Sequence, residues 1–464
     1  MIARSGAWPG RLVQAWIGPA PGAALRQAAG DGFGMIRTLS GYSLLTAVGL
    51  VLGLVRELTV AATYGLSAQL DVFVAVMTVQ LFFGAQVGNA LETAFIGRTA
   101  GQLGARNLRR SLGPALFSLC LVNVGVVLCL WLGGDALVGA LFPRFGAEQM
   151  TLATHTLNAL LVPMVCASTA GLLRGSLAVL GTFAPGFLAG SIVSVATIGS
   201  VWLYGQRFGI DALTFGVAIG NLIVLGLFAV RLVSLIDWDS SEATAPVTSE
   251  RSMGWWVLWG SVVTVMAGEL VYAGIAVTER SLASWLPSGS IAALFYASTV
   301  VSVPLSLFIV PLATVLFPGM VDTFARDLRA GLSQLRTRLI FLVIGTVAVT
   351  LFVIPWAQAL VELLFMRGRF SAEHATLTAS ILSVTILALP FMSLSRLVRN
   401  ACYALSNYRI PVAGLLVQWS VLAGLGWFLI PAYGVQGLAA AMVAGEVALL
   451  GTMGGLLMTT VRPQ

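Results

Sequence analysis

The chain has little charge of either sign and contains no lysine. Only 9% of its 464 residues are charged, whereas 58% are hydrophobic, and soluble domains carry about 25% charged residues. So few charges cannot cover a water-exposed surface, which excludes a sizeable soluble domain. No nucleotide-binding loop is present, so we expect no direct use of ATP, and nothing indicates a nucleic-acid partner.

Residues that could bind metals or perform catalysis are also scarce, with only four cysteines and two histidines in the chain. The cysteines lie inside apolar segments and lack metal-ligand spacing, so we interpret all of them as small core residues: Cys120, Cys129, Cys166 and Cys402. No Ser/His/Asp, paired-carboxylate or metal constellation is present. We therefore expect neither an enzyme nor a bound metal or other cofactor.

Long apolar runs fill most of the chain, and each is long enough to cross a bilayer, which takes about 20 residues in a helix. They predict an all-α polytopic membrane protein with about twelve transmembrane helices. The predicted spans are 38–63, 70–96, 111–133, 152–174, 184–205, 209–235, 255–280, 290–318, 336–357, 373–397, 409–430 and 434–459.

The distribution of arginine predicts the orientation, because cytoplasmic loops of membrane proteins are enriched in basic residues. Nineteen arginines fall in segments on one side and four on the other, which places both termini in the cytoplasm. Residues 1–35 form a cytoplasmic extension, unless translation starts at Met35. The acidic segment 237–254 is the predicted linker between two halves.

The two halves resemble each other. The sequence from Gly209 to Leu213 recurs from Gly434 to Leu438, and Arg174 matches Arg399 at the same offset along the chain. An even number of spans per half gives both copies the same orientation, as in transporters with parallel repeats. We expect two six-helix lobes around a central cavity: the N-lobe (residues 36–236) and the C-lobe (residues 255–464).

Charged residues inside spans are costly and are candidate functional sites by default. The alternative is a structural ion pair within the bundle, or a long side chain that reaches the interface. The candidates are Arg56, Glu57, Asp71, Glu92, Glu269, Glu279, Arg280, Arg396, Arg399 and Glu446. His155 lies near a helix end, and we expect it to be interfacial.

Three segments resemble the MurJ/MviN flippases. They are the run from Gly53 to Phe73, the run from Glu279 to Pro318, and Gly368-Arg369-Phe370 with Tyr403-Ala404, Arg409 and Pro411. Together they cover most of residues 36–455. The resemblance implies the fold of the multidrug, oligosaccharidyl-lipid and polysaccharide exporters, alternating access, and a bacterial cytoplasmic-membrane location. It also implies transport of a glycan linked to polyprenyl diphosphate.

The resemblance assigns roles to the buried charges. Arg56, Glu57 and Asp71 match cavity or gate positions of the family, and Glu279 matches a position linked to sodium in some members. We therefore assign substrate binding or gating to Arg56, Glu57, Asp71, Arg280, Glu92 and Arg399. Glu279, Glu269 and Glu446 are candidates for coupling to Na⁺ or H⁺, since a buried carboxylate can bind either.

Departures from the family pattern change the expected substrate. Leu50 and Gly84 stand where the family has arginines, and Ser298, Thr299 and Ser302 stand where it has charged residues. The family also has fourteen helices. A less cationic cavity and a twelve-helix count favour an exopolysaccharide repeat unit as the cargo, with a polysaccharide polymerase and export proteins as partners. The alternatives are lipid II, a multidrug or cation antiporter, and a non-transporting scaffold.

Overall fold

The computed structural model describes residues 32–99, 105–236, 255–405 and 407–461. All regular secondary structure in these ranges is helical, which confirms the all-α class. Within them, nine helices are long and apolar enough to cross a membrane, and a tenth span results if one bent helix pair is counted as a unit. The chain is a multi-pass membrane protein, and the count of twelve stays a prediction.

We number the helices in chain order. They are α1 (Gly32–Tyr64), α2 (Ala68–Gln80), α3 (Val87–Thr99), α4 (Ala105–Leu141), α5 (Ala147–Val179), α6 (Ala184–Phe208), α7 (Ile210–Leu235), α8 (Trp255–Ala283), α9 (Ser290–Pro304), α10 (Val310–Arg326), α11 (Leu328–Phe365), α12 (Ala372–Thr385), α13 (Ala388–Ala404) and α14 (Arg409–Val461). The α12–α13 pair bends by 45°. The predicted linker 237–254 lies outside the described residues.

α14 is two antiparallel arms joined at one residue. Its 53 residues would span about 80 Å as a single rod, far more than the hydrocarbon core of about 30 Å. Gly434 breaks the helix with a φ of 57° and a ψ of −134°. The arms then pack closely, since a Cβ on Gly437 would lie 2.3 Å from the Leu429 carbonyl oxygen, and one on Gly445 would lie 3.4 Å from Gln418.

Backbone irregularities recur at nearly the offset of the sequence repeat. Gly209, between α6 and α7, has a φ of 55° and a ψ of −133°, almost the same as Gly434, its counterpart in the second half. α2 and α3 are joined by a π-helical turn, Leu81–Gln86, and α9 and α10 by another, Leu305–Ile309, at nearly the same offset. Such matching backbone conformations are what two related halves predict.

The hydrophobic core joins both lobes at one end of the bundle, which we call the closed end. It contains the connections 65–67, 142–146, 284–289 and 366–371. One cluster there combines Leu66 and Phe142 of the N-lobe with Tyr296, Phe365 and Phe370 of the C-lobe. Towards the opposite end the N-lobe and the C-lobe have separate clusters. The N-terminal part of α8 packs into the N-lobe cluster through Leu258 and Val262.

The outer surface is apolar, as contact with lipid requires. Trp202 is 81% exposed, Leu132 75% and Phe352 66%. Two of the four cysteines share this surface, because Cys120 and Cys129 are exposed whereas Cys166 and Cys402 are buried. The interpretation of all four as core residues is therefore wrong for the pair on α4, where an apolar thiol can face lipid without cost.

Candidate functional site

Asp71 joins the lobes at the closed end. Its side chain lies in the first turn of α2 and is buried. One carboxylate oxygen accepts a hydrogen bond from the Gly289 backbone N–H, and the other accepts one from the Ala292 N–H at 2.7 Å. Gly289 has a φ of 92°, and a Cβ there would lie 2.8 Å from the Leu66 carbonyl oxygen. Gly289 is the N-cap residue of α9 and has no side chain that could cap the helix. The carboxylate of Asp71, from the other lobe, caps the positive N-terminus of α9 instead.

Two further contacts close this end. The Arg369 N–H donates to the Ala62 carbonyl oxygen at 2.8 Å, an approach that the bare Cα of Gly368 allows. Also at the closed end, the Arg144 guanidinium lies 4.5 Å from the centre of the Trp285 ring. Such cation–π contacts are favourable by about 0.5–1 kcal/mol when exposed. The closed end is thus held by hydrogen bonds and ring contacts that can separate without breaking a covalent link.

A pair of arginine–glutamate contacts lies between the lobes. Arg56 of α1 donates from Nε to the Glu57 carboxylate at 3.0 Å, and Arg280 of α8 donates to Glu279 at 2.8 Å. The two arginines are separated along the chain by the same offset as the starts of the π-helical turns. Phe295 of α9 links them, because its ring lies 5.9 Å from the Arg280 guanidinium and also lines a cavity of about 30 Å³ with Arg56 and Glu57.

The C-lobe contains a larger cavity of about 290 Å³ next to this pair. Its wall is mostly apolar, with polar groups from four helices. The polar lining residues are Tyr272, Glu279, Ser298, Ser302, Thr385, Gln418 and Glu446. The Gln418 amide donates to the Glu446 carboxylate at 2.8 Å. A mostly apolar cavity with a few converging polar groups is the usual form of a ligand site.

One face of α8 carries the polar groups from the lobe junction towards the opposite end. Glu279, Ala276 and Tyr272 line the cavity, and Glu269 continues the same face at helical spacing. Arg399 and Glu446 both lie near Tyr272, and Arg399 and Glu269 both lie near Tyr403. The structure therefore brings the three acids proposed for ion coupling and Arg399 to one side of the C-lobe.

Glu92 belongs to a separate cluster in the N-lobe. Arg174 of α5 donates from Nε to the Glu92 carboxylate at 2.7 Å and from Nη2 to Asn89 at 2.8 Å. The backbones are close here, since a Cβ on Gly175 would lie 3.0 Å from the Glu92 Cα. Glu92 is thus an acid that ties α3 to α5, as the structural alternative predicts. His155 is 62% exposed and lies 3.6 Å from Asp211.

The family departures do not all fall on the cavity. Ser298 and Ser302 line it, as expected, whereas the Thr299 hydroxyl donates to the Phe295 carbonyl oxygen at 2.9 Å. Gly84 is buried against α5, where a Cβ would lie 3.1 Å from the Met164 Cα. A larger side chain at this position would require α5 to shift, and the contribution of Gly84 to a less cationic cavity stays a prediction.

Sequence reasoning missed Tyr272 and Gln418 as cavity residues. The position of Tyr272 carried a signal, because Glu269, Tyr272 and Glu279 repeat at the spacing of one helix face. Gln418 lies on α14 and is not part of this pattern. In the part of the chain that the structure describes, no group of three or more His, Cys, Asp or Glu side chains could bind a metal ion.

Comparison with known proteins gives a consistent result. The model of a family described as "Lipid II flippase MurJ" matches residues 60–460. A probable lipid II flippase MurJ of Bdellovibrio bacteriovorus is 27% identical over 422 residues, which is 86% of this chain and 77% of that protein. Another, of Rhizobium meliloti, is 25% identical over 85% of this chain and 75% of its own length.

Solved structures share the fold. A lipid II flippase MurJ in an inward closed conformation superposes with a TM-score of 0.76 at 18% identity, covering 90% of this chain and 87% of that one. An inward-facing MATE-family multidrug transporter of the MOP superfamily gives 0.71 at 15% identity, over 89% and 95%. Since the family model covers well over half of the chain, this protein belongs to the MurJ family of flippases, which are transporters and not enzymes.

Proposed function

We propose that this protein moves lipid II, the polyprenyl-diphosphate-linked precursor of peptidoglycan, across the bacterial cytoplasmic membrane by alternating access. Membership of the MurJ family and the names of its relatives support a lipid-linked cargo. The sequence favours an exopolysaccharide repeat unit as the cargo, with lipid II as the alternative. The names of the relatives support lipid II better. A polymerase partner belongs to the exopolysaccharide reading only.

The single observation that carries the proposal is the pair of arginine–glutamate contacts beside the C-lobe cavity. A diphosphate carries several negative oxygens, and a guanidinium binds such oxygens in a bidentate way. In this structure Glu57 and Glu279 hold Arg56 and Arg280 in place. An incoming diphosphate exchanges these contacts for its own, while the glycan enters the cavity with its hydroxyls near Ser298.

The different contacts at the two ends support alternating access. The closed end is held by the Asp71 cap on α9 and by the Arg144–Trp285 contact. Towards the opposite end the two lobes have separate cores, bridged by the N-terminal part of α8. Movement of α8 exposes the cavity at that end, and separation of the closed end releases the glycan at the other.

Na⁺ or H⁺ is the proposed coupling ion, and Glu279 and Glu446 are the proposed ligands. Both line the C-lobe cavity, and a hard cation prefers oxygen ligands such as carboxylates and amide carbonyls. Gln418 orients Glu446 with its N–H group, which leaves its own carbonyl oxygen available. Glu269 continues the same face of α8 and provides a second acid towards the opposite end.

An exopolysaccharide repeat unit remains a second candidate because of one observation. Ser298 and Ser302, which stand where the family has charged residues, do line the cavity, and the cavity is less charged as a result. A multidrug antiporter shares the fold, but the paired arginines suit an anionic cargo better than a cationic drug.

Complementation tests the proposal. The wild-type gene is expressed in a strain depleted of its own lipid II flippase, and growth is expected to be restored. Arg56→Gln and Arg280→Gln should abolish rescue at normal protein levels. Arg329→Gln, an exposed arginine outside the cavity, should rescue fully. Absence of rescue by the wild type, together with loss of exopolysaccharide from a deletion strain of the source bacterium, would instead establish the second candidate.

A further inference from the structure

A second cavity opens on the outer surface of the C-lobe. This groove has a volume of about 230 Å³ and is lined by α10, α11 and α13. Leu312, Leu316, Phe341 and Leu397 make its walls apolar. Phe341 is 73% exposed and Leu312 46%, so the groove faces outward, where the apolar surface of a membrane protein contacts lipid. It is distinct from the C-lobe cavity, with which it shares no lining residue.

One charged side chain lines the groove, and it is incompletely bonded. The Nη1 atom of Arg338 is buried and has no hydrogen-bond partner in the described structure. An unmade hydrogen bond on a buried charged group is costly. The other polar lining residue, Ser393, donates its hydroxyl to the Leu389 carbonyl oxygen of its own helix at 2.7 Å. The described part of the protein therefore places no acceptor on Nη1, and an acceptor from outside would satisfy it.

The position of Arg338 along α11 fits the headgroup layer of a bilayer. A mostly apolar run without charged side chains begins at the next residue, Leu339, and continues to Ala357. Arginines at the ends of apolar spans lie at the level of lipid phosphates. If Arg338 held the phosphate of a lipid, an acyl chain of that lipid would lie alongside Phe341 and Leu342, which are apolar residues of the groove wall.

The N-lobe has a groove that lacks the charge. It has a volume of about 400 Å³ and is lined by residues of α4 and α5, including Cys120, Val124 and Leu128. None of its lining residues is charged. Its most polar side chain, Asn123, already accepts a hydrogen bond from Ser168 at 3.1 Å. Of these two outward apolar grooves, the one in the C-lobe has an unsatisfied cation.

We propose that the C-lobe groove binds an anionic membrane phospholipid, with its phosphodiester on Arg338 and an acyl chain along Phe341 and Leu342. The lipid fills the space between α10, α11 and α13 and supplies the acceptor that Nη1 lacks. This assigns the protein a bound lipid other than its cargo, at a site separate from the transport cavity, and it does not depend on which glycan is transported.

Photocrosslinking of the wild-type protein locates the lipid. The full chain is reconstituted with phosphatidylglycerol or phosphatidylcholine that carries a photoreactive group in one acyl chain, and crosslinked peptides are mapped by mass spectrometry. We expect the phosphatidylglycerol-to-phosphatidylcholine yield ratio to be several-fold higher at residues 309–316, 341–342 and 393–397 than in the N-lobe groove. Equal ratios in the two grooves would overturn the proposal, and this comparison needs no variant.

Two matched variants test the role of the charge. Arg338→Gln should lower phosphatidylglycerol labelling of the groove by about tenfold, because a charge-assisted hydrogen bond is lost. Arg336→Gln removes an equal charge from an exposed position of the same helix and should leave labelling unchanged. Equal losses in the two variants would indicate general surface attraction and would overturn the proposal. Displacement of the probe by undecaprenyl diphosphate, but not by glycerol phosphate, would assign the groove to the cargo and overturn it as well.

Discussion

At the scale of single residues, Asp71 is the strongest link between the lobes. Asp71→Asn keeps the size of the side chain but points an N–H donor at a backbone N–H of α9, since only one acceptor oxygen remains. We expect the closed end to lose about 1–3 kcal/mol. The change should appear as faster labelling, by a membrane-impermeant maleimide, of a cysteine introduced at Ser290, which is buried at this end.

The control for this change is Asp135→Asn, which alters an exposed acid that accepts a hydrogen bond from Thr154 at 2.6 Å. It should leave both the labelling rate and the thermal stability almost unchanged. If Asp71→Asn reacts no faster than this control, the carboxylate does not hold the closed end shut.

Glu446 offers a test of ion coupling. Glu446→Gln removes a negative charge from the cavity wall and with it the preferred ligand of a hard cation. We expect the wild-type protein to gain thermal stability when Na⁺ replaces choline at constant ionic strength, because a ligand that binds only the folded state stabilises it. The variant should lose this gain, whereas Glu92→Gln, in the N-lobe, should keep it. No Na⁺ effect in the wild type would exclude Na⁺ and leave H⁺ as the proposed ion.

The sequence could identify the charged candidates but not most of their partners. Charges inside apolar spans are conspicuous because they are costly, and Arg56 finds Glu57 as its neighbour in the chain. The partner of Glu92 is 82 residues away, and no local pattern predicts it. Arg338 lies at the edge of a span, where an arginine indicates the orientation of the protein in the membrane. Only the structure shows that its Nη1 atom has no hydrogen-bond partner among the described residues.

At the scale of helices, the break in α14 gives a direct test of backbone conformation. Gly434 has a φ of 57°, and no atom lies within 4 Å of a Cβ built there. Gly434→Ala therefore changes only the conformational energy, by about 1–2 kcal/mol. Gly424→Ala is the control, because it is equally free of neighbours but lies in helical backbone, where alanine is favoured by about 1 kcal/mol. The unfolding temperature should fall in Gly434→Ala and stay unchanged or rise in Gly424→Ala.

Close helix packing in the N-lobe gives a second test at this scale. A Cβ on Gly171 of α5 would lie 2.3 Å from Gly88 on α3, with backbone atoms on both sides. Small residues let membrane helices approach this closely. Gly171→Ala should separate α3 from α5 and lower the unfolding temperature by several degrees, while Gly125→Ala on α4, which meets no neighbour, should not. Equal unfolding temperatures would show that the approach is not required.

Helix positions were predictable because a helix needs about twenty apolar residues to cross the bilayer, and runs of that length are visible in the sequence. The prolines of the eighth predicted span were also informative, since Pro304 and Pro311 flank the π-helical turn Leu305–Ile309. The turn Leu81–Gln86 has no proline, and nothing local predicts it. Its existence follows only from the repeat.

At the scale of the whole molecule, the sequence predicted two related halves but not which end they share. The repeat fixes the fold of each half from internal similarity, whereas the contact between halves depends on residues far apart, such as Arg144 and Trp285. The closed end is therefore information that only the three-dimensional structure supplies. Alternating access requires this end to open, which makes the prediction testable with a reversible tether.

A cleavable crosslinker between cysteines at positions 144 and 285 should stop transport. The Arg144 guanidinium lies 4.5 Å from the Trp285 ring, so a short bis-maleimide with an internal disulfide spans the two positions and ties the N-lobe to the C-lobe. Flipping of a fluorescent lipid-linked substrate in proteoliposomes should fall to background and recover after reduction. The control pairs position 285 with 427, whose rings lie 4.7 Å apart within the C-lobe, and its crosslink should leave flipping intact. Full activity with the tether across the lobes would mean that the substrate crosses without opening of the closed end, and alternating access would have to be abandoned.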